Sequence, residues 1–181
     1  EVDLATVEPG VLAKILKEHG TDSVYHYAAI NGTKYFYDIP YKVLDVNVRS
    51  TQNVVYAVAD SGVKRVVYAS SSEVYGEPAV VPTPESHPIV LDVFSVRDSY
   101  ASSKAIGEFY VSIWGRRVGY DYLVLRIFNT YGPRMDTSEY GQVIPEFIRK
   151  VFFEDPFTII GPGTQTRSFC YVEDHVRLVL S

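Results

Sequence analysis

The sequence predicts an α/β fold in which helices flank a doubly wound, parallel sheet. Short apolar runs typical of buried strands alternate along the chain with amphipathic segments typical of helices. Proline or glycine marks the start or end of several helical segments. Because strands that alternate with helices are usually joined by crossovers, this order favours parallel strands. With 181 residues, 46% of them apolar, the chain is long enough for one domain with a sizeable core.

The first half of the chain contains two helical segments with clear boundaries. Proline is common at the first position of a helix, and glycine is common just after the last. The apolar run SVYHYAA between these segments is typical of a buried strand. In order, we expect the tail of a strand at residues 1–4, a helix from Pro9 that ends before Gly20, a strand at residues 23–29, a turn at Asn31 and Gly32, and a helix from Pro40 that Gly62 ends.

The second half contains a long connection, residues 70–98, with four prolines. A connection of this length within a compact domain is usually functional or mobile. Ser99 is expected to cap the helix that follows it. In order, we expect a strand at residues 66–69, a helix at 100–117 ended by Gly119, a strand at 122–127, a turn at 129–134, a helix at 143–153, a short strand at 157–160, a tight turn at 161–163, a strand at 168–172, and a helix from Glu173.

Composition and charge set several classes of protein aside. The net charge is -5 and is spread along the chain, whereas nucleic-acid-binding proteins usually carry a basic face. No apolar run is long enough to cross a bilayer, and no signal-like segment opens the chain, so we expect no membrane partner. The single cysteine, Cys170, excludes an internal disulfide and indicates a reducing, cytoplasmic setting.

Tyr100 and Lys104 are four residues apart in a predicted helix, so their side chains share one face. A lysine ammonium beside a phenol favours the phenolate and lowers the pKa of the tyrosine. Such a tyrosine can accept a proton from a sugar hydroxyl. The motif alone is weak, because an exposed Tyr/Lys pair of no function is the more frequent explanation.

Three serines and an acid follow an apolar strand: Ser70, Ser71, Ser72 and Glu73. Ligands of open α/β sheets bind beyond the carboxyl ends of the strands, so a serine there can hydrogen-bond the hydroxyl that a tyrosine deprotonates. A polar turn and a solvated acid are equally good explanations of these residues taken alone.

A glycine-rich dinucleotide loop is missing from the sequence. Neither G-x-G-x-x-G nor G-x-x-G-x-x-G occurs, although a dinucleotide-binding sheet normally opens with such a turn. The first β-α-β unit is therefore expected to precede Glu1, and the last predicted helix is cut off at the C-terminus. An inactive fragment, retained only for binding or assembly, stays open as an alternative of another class.

Five segments together resemble the extended short-chain dehydrogenase/reductase family, the NAD-dependent nucleotide-sugar epimerases and dehydratases. They are HYAA at 26–29, YASSSEVYG at 68–76, YASSK at 100–104, RIFNTYGPR at 126–134 and GTQTRSFCYVEDH at 163–175. The resemblance implies a Rossmann-like fold, lacking its first β-α-β unit and its C-terminal end. It also implies a partial NAD-binding domain at residues 1–127 and a partial substrate-binding region at 128–181.

The resemblance also implies roles for individual residues. Tyr100 is similar to the catalytic base of the family, Lys104 to its partner and a ribose ligand of NAD, and Ser71 to the catalytic Ser/Thr; Ser72 and Glu73 complete the catalytic set. The implied NAD-binding residues are Asp3, Leu4, Ala28, Ala29, Ile30, Asn47, Ala69, Ser70, Tyr100 and Lys104. The implied substrate-binding residues are Ser71, Asn129, Val143, Thr158 and Arg167. No metal is implied.

The activity implied is transient oxidation of a UDP- or dTDP-sugar to a 4-keto intermediate. Dehydratases of the family usually carry Asp-Glu where this chain has Ser72-Glu73, which leaves no general acid for loss of water. Ser72-Glu73 together with RIFNTYGPRM is similar to UDP-glucuronate decarboxylases, but their usual Tyr-Asp-x-x-Lys is replaced here by YASSK. We rank a 4-epimerase first, a UDP-glucuronate decarboxylase second and a 4,6-dehydratase third. The resemblance further implies a homodimer through a four-helix bundle, built from the helices at 40–62 and 100–117.

Overall fold

The computed structural model describes residues 1–136, 142–153, 155–156, 159 and 161–181, and every statement below refers to those residues. The strands are β1 (Ser23–His26), β2 (Arg65–Ser71), β3 (Asp121–Ile127), β4 (Asn129–Tyr131) and β5 (Phe169–Tyr171). The helices are α1 (Pro9–Glu18), α2 (Thr33–Asp38), α3 (Pro40–Ala59), α4 (Ser99–Val118), α5 (Val143–Phe152) and α6 (Val172–Leu180).

The main sheet has three parallel strands in the order β1-β2-β3. Val24 lies beside Val66, and Tyr68 lies beside Val124, so the register brings all three carboxyl ends to one edge. α3 connects β1 to β2, and α4 connects β2 to β3. This is the α/β architecture that the alternation of strands and helices predicted, and the fold class is confirmed.

The core lies between this sheet and the helices α1, α3 and α4. Val66 and Tyr68 of β2 pack against Val54, Val55 and Val58 of α3 and against Val111 of α4. Leu12 and Leu16 of α1 contact the same cluster. Side chains alternate across a strand, so Val66 and Tyr68 share one face of β2, and Val67 and Ala69 on the other face are buried as well.

A second, two-stranded sheet follows directly after the first. β4 pairs in parallel with β5, and Asn129 lies beside Phe169. Residues 129–134 were predicted as a turn, and this prediction is wrong for β4, since the first part of the segment is extended. The segment reads Asn-Thr-Tyr followed by Gly-Pro, which are residues typical of a turn, so the short strand was not predicted.

Two end signals of the long helices are confirmed, whereas α3 ends at Ala59, three residues before the predicted Gly62. α3 begins at Pro40, and α4 is followed by Gly119, whose φ of 94° is the left-handed conformation that favours glycine after a helix. Ser99 was predicted to cap α4, and this is wrong: the cap position is Asp98, and Ser99 already lies in the helix. The Ser99 hydroxyl is buried without a hydrogen-bond partner among the described residues.

Other boundaries differ from the predictions. The strand expected at residues 23–29 ends at His26, and residues 1–4 form no strand. α2, a helix of 6 residues, was not predicted, because a single short helix shows little periodicity. The strand expected at 157–160 lies largely outside the described residues. Among the described helices, none is both long and apolar enough to cross a membrane.

Candidate functional site

A cleft of about 440 Å³ opens at the carboxyl edge of the main sheet. It is bounded by the end of β2, the first turns of α4 and the chain that leaves β3. Tyr100, Lys104 and Ser71, the three residues predicted to carry catalysis, all line it. Because three parallel strands end here, the cleft stands where open α/β sheets bind their ligands.

Tyr100 lies in the first turn of α4 and is only 7% exposed. Its ring stacks on the ring of Phe36, with centroids 4.8 Å apart and planes 13° from parallel. Phe36 belongs to α2, which the sequence did not predict, so α2 forms the support behind the candidate base. The stacking holds the phenol ring in one orientation at the cleft wall.

Lys104 lies one helical turn beyond Tyr100 and is 3% exposed. Its Nζ donates a hydrogen bond of 2.8 Å to the carbonyl of Ala69, near the end of β2. The same Nζ lies 5.6 Å from the centroid of the Tyr100 ring and 5.3 Å from that of Tyr68. The spacing of four residues therefore puts the two side chains on one face, as predicted.

Burial dominates the pKa values of this pair. It raises the pKa of Tyr100 to about 12; interaction with the Ser71 hydroxyl lowers that pKa, and the charge of Glu73 raises it further. Burial also lowers the pKa of Lys104 to about 8. The prediction that Lys104 leaves Tyr100 with a lowered pKa is wrong in its net direction. The free-energy cost of removing the phenolate from water exceeds the stabilisation that neighbouring groups give it.

The serines at the end of β2 have different environments. Ser71 is the last residue of β2, and its Oγ accepts a hydrogen bond of 3.2 Å from the Glu73 N–H. This bond caps the 3₁₀ turn Ser72–Tyr75, in which Ser72 comes first. Ser70 also lines the cleft, but its hydroxyl donates to Glu108 Oε1 at 2.6 Å.

Glu73 is held by Arg97 in a bidentate ion pair. Arg97 donates from its two terminal nitrogens to the two carboxylate oxygens of Glu73, at 2.6 and 3.2 Å. Both residues line the cleft. The hydrogen bond that Arg97 donates to Glu73 is the main reason why the pKa of Arg97 is raised.

Residues predicted to bind the cofactor divide into two groups. Ala29, Ala69 and Ser70 line the cleft with Tyr100 and Lys104, whereas Asp3, Leu4, Ala28, Ile30 and Asn47 do not.

The second group has local contacts instead. Asp3 accepts a hydrogen bond from the N–H of Ala5, and the carbonyl of Leu4 accepts one from Asn53. Asn47 accepts from the N–H of Ile30 at 2.7 Å and donates to its carbonyl at 3.1 Å, which shapes the loop after β1.

Three of the four residues predicted only for substrate binding reach the cleft. Asn129 on β4, Val143 on α5 and Arg167 ahead of β5 also line it. Asn129 also donates a hydrogen bond of 2.8 Å to the carbonyl of Ser168. Thr158 lies outside the described residues.

Sequence reasoning missed several side chains that support the site. Phe36 stacks on Tyr100, and Arg97 pairs with Glu73, as described above. Glu108 joins β2 to β3, because it accepts from Ser70 and takes two hydrogen bonds from Arg126, at 2.9 and 2.8 Å. Only Glu108 had a signal in the sequence: it lies four residues beyond Lys104, on the same helix face.

A buried tyrosine and lysine thus share one cleft with a strand-end serine at the carboxyl edge of a parallel sheet. A family model described as NAD dependent epimerase/dehydratase family matches residues 1–181. The chain therefore belongs to the NAD-dependent epimerase/dehydratase family, which confirms the resemblance.

Relatives of known activity support this assignment. The chain is 37% identical over 155 residues to UDP-glucuronic acid decarboxylase 5 of Arabidopsis thaliana, covering 86% of this chain and 45% of that protein. It is 34% identical to the solved structure of UDP-N-acetylglucosamine 4-epimerase from Methanobrevibacter ruminantium M1, with a TM-score of 0.85, covering 97% of this chain and 54% of the other. The chain thus spans about half the length of these relatives.

A further solved structure contains the cofactor. It is UDP-glucuronic acid 4-epimerase from Bacillus cereus in complex with UDP-glucuronic acid and NAD, 27% identical with a TM-score of 0.80, covering 99% of this chain and 53% of the other. The residues that line the cleft described here fit one end of an NAD molecule. Tyr100 and Lys104 offer hydrogen-bond donors suited to a ribose, and the small side chains of Ala29 and Ala69 leave room beside them.

Proposed function

We propose that this chain forms the catalytic part of an NAD-dependent nucleotide-sugar 4-epimerase, which acts through a 4-keto sugar. The observation that carries the proposal is the convergence of Tyr100, Lys104 and Ser71 at the carboxyl edge of the sheet. The substrate is a UDP- or dTDP-sugar, held in the cleft by Asn129, Arg167 and the segment around Val143. The arginine suits a diphosphate, because its planar fork matches the geometry of phosphate oxygens.

Each residue has a defined task in this reaction. Ser71 hydrogen-bonds the sugar 4-hydroxyl and orients it towards the phenol of Tyr100, which takes the proton. Lys104, cationic at neutral pH with a pKa of about 8, lies where its charge favours the phenolate. NAD, when bound, supplies the hydride acceptor. Tyr100 returns the proton when the carbonyl is reduced from its other face.

A UDP-glucuronate decarboxylase is the second candidate. It shares the oxidation step, after which the 4-keto acid loses carbon dioxide. The 37% identity to UDP-glucuronic acid decarboxylase 5 of Arabidopsis thaliana favours it. A 4,6-dehydratase ranks third, because Ser72 stands where those enzymes usually have an acid.

Assembly and location belong to the same proposal. We place a homodimer contact on α3 and α4, which pack side by side and expose apolar side chains such as Phe109 and Ile113.

The boundary between an NAD-binding part, residues 1–127, and a substrate-binding part, 128–181, falls between β3 and β4. The single cysteine supports a reducing compartment such as the cytoplasm.

The test is to incubate the full-length protein and NAD with a panel of UDP- and dTDP-sugars, including uronic acids. Unchanged mass with inversion at C4, read by NMR, identifies the epimerase; loss of carbon dioxide identifies the decarboxylase, and loss of water the dehydratase. Tyr100→Phe keeps the ring that stacks on Phe36, so we expect the folded structure to be unchanged. Turnover should fall by about 10²- to 10⁴-fold.

The matched control is Tyr56→Phe, which changes a tyrosine on α3 and should retain full turnover. Two other results would contradict this proposal. Equal turnover of Tyr100→Phe and the wild type would remove the base from the mechanism. Failure of the wild-type protein to bind NAD or to convert any sugar would leave the inactive, family-derived fragment as the explanation.

A further inference from the structure

The bidentate pair of Arg97 and Glu73 closes a ring of contacts around the candidate base. Arg97 lies in the 3₁₀ turn Val96–Asp98, three residues before Tyr100. Its guanidinium holds the carboxylate of Glu73, whose N–H donates to Ser71 Oγ. Ser71 in turn interacts with the phenol of Tyr100. The two chain segments that carry the serine and the tyrosine are thus linked by side chains as well as by the sheet.

This pair has the geometry in which a partly exposed ion pair restrains the relative position of its two side chains. The side chains of Arg97 and Glu73 are 39% and 34% exposed, so water screens them only in part. Two parallel N–H···O bonds restrict the relative position of the partners far more than a single contact does. A carboxylate held in this way accepts hydrogen bonds, and it is poorly suited to donate a proton to a substrate.

We infer that Arg97 is a positioning residue of the cleft: through its pair with Glu73 it holds the Ser72–Tyr75 turn against the start of α4, and so sets Ser71 relative to Tyr100. It also pairs with Glu73, a carboxylate whose charge raises the pKa of Tyr100. This inference rests on the proposed function, since it concerns the geometry that the proton transfer requires.

Several charged or titratable groups face this part of the cleft. From α4 comes Lys104, and from the two 3₁₀ turns come Glu73 and Arg97. The phenol of Tyr68 lies in the core, 5.3 Å from Lys104 Nζ when measured from the ring centroid. Tyr37 and Asp98 act on Arg97. The charge of Glu73 opposes ionisation of Tyr100, so the removal of Arg97 leaves that charge unbalanced and favours the protonated phenol.

The experiment is a double-mutant cycle with Arg97→Met, Glu73→Gln and the combined variant, in full-length protein with NAD bound. The pKa of Tyr100 is read by ¹⁹F NMR after 3-fluorotyrosine labelling, which brings phenol titration to lower pH; Tyr100→Phe assigns the signal. We expect Arg97→Met to raise this pKa by about half a unit to one unit, Glu73→Gln to lower it, and the combined variant to resemble Glu73→Gln.

Kinetics provide the second measurement. Arg97→Met should lower kcat by about 10- to 100-fold and change KM for the sugar less than about threefold, because misplacement of the serine affects the reaction more than binding. Arg97→Lys keeps the charge but not the fork, so it should leave the pKa of Tyr100 nearly unchanged while kcat still falls. If Arg97→Met does not fold, Arg97→Lys carries this test.

The control is Arg49→Met, which breaks the exposed pair of Arg49 and Asp45 on α3 and should change neither quantity. Wild-type kcat in both Arg97→Met and Arg97→Lys would overturn the inference. An equal shift of the Tyr100 pKa in Arg97→Met and in the combined variant would also overturn it. The shift would then not depend on the charge of Glu73 and would reflect a less ordered site. A wild-type protein without turnover contradicts the proposed function instead, and the NMR cycle still tests Arg97.

Discussion

His26 shows how a single buried side chain couples folding to pH. It is the last residue of β1 and is 4% exposed. One ring nitrogen is 3.0 Å from the hydroxyl of Thr51, and the ring lies 5.7 Å from that of Tyr68. Burial, followed by the charge of Lys104, lowers the pKa of His26 to about 4. The imidazole is therefore neutral in the folded protein at neutral pH.

The first prediction follows from the sign of this shift. The unfolded chain protonates His26 near pH 6.5 and the folded protein only near pH 4, so the unfolded state binds more protons between these values. The free energy of unfolding should consequently fall as the pH drops through this window, by about 2 kcal/mol from this residue at pH 5. Urea unfolding at pH 7 and pH 5 measures it.

A variant separates this contribution from that of the other titrating groups. His26→Gln should be less stable at pH 7, since it disturbs a buried contact, but its stability should fall less between pH 7 and pH 5. His19→Gln changes an exposed histidine and should keep the wild-type difference between the two pH values. An unchanged pH dependence in His26→Gln would show that the buried imidazole does not control it.

At the scale of elements, the approach of α4 to β2 depends on a glycine. A Cβ at Gly107 would overlap the phenol of Tyr68, which is buried and cannot move aside. The small residue lets the helix lie close to the strand, which keeps Lys104, one turn earlier, within reach of the Ala69 carbonyl. Gly107 therefore contributes to the site through packing.

We predict that Gly107→Ala destabilises the protein. Alanine favours a helix interior by about 1 kcal/mol, but overpacking a core costs about 1 to 3 kcal/mol, and here the added methyl meets a side chain with no free space. A net loss of about 1 kcal/mol in the free energy of unfolding is expected.

The matched control is Gly10→Ala in α1, where a Cβ meets no atom within 4 Å. This variant should be neutral or slightly more stable, because only the helix propensity changes. Urea unfolding of both variants gives the comparison. Gly107→Ala as stable as Gly10→Ala would mean that α4 can shift away from β2 at little cost.

At the scale of the whole molecule, α4 has an apolar face that the described chain does not cover. Ile106, Phe109 and Ile113 follow the spacing of one helix face and are 37%, 60% and 55% exposed. For the proposed homodimer, we predict that Phe109→Glu combined with Ile113→Glu lowers the mass in solution to that of a monomer, because a helix interface cannot bury two carboxylates.

Light scattering over a range of protein concentrations measures this mass. Val11→Glu, on an exposed position of α1, is the control and should keep the mass of the wild type. A wild-type protein that is monomeric at all concentrations, or a double variant that stays dimeric, would exclude α4 as the contact.

Some of the fold and site followed from local sequence, and the rest did not. Pro40 marks the start of α3 and Gly119 the end of α4, because helix ends depend on backbone conformation within a few residues. α2 and β4 could not be found, since short elements are stabilised by tertiary packing rather than by their own pattern. Ser99, expected as a cap, lies within α4 and shows that end positions shift by a residue.

The sequence by itself determined the alternation of strands and helices and the placement of Tyr100 and Lys104 on one helix face, because both depend on neighbours within a few positions. Only the tertiary structure decided that Phe36 stacks on Tyr100 and that Arg97 holds Glu73, 24 residues away along the chain. It also decided the high pKa of Tyr100, since burial depends on segments distant in sequence that fold together around the phenol.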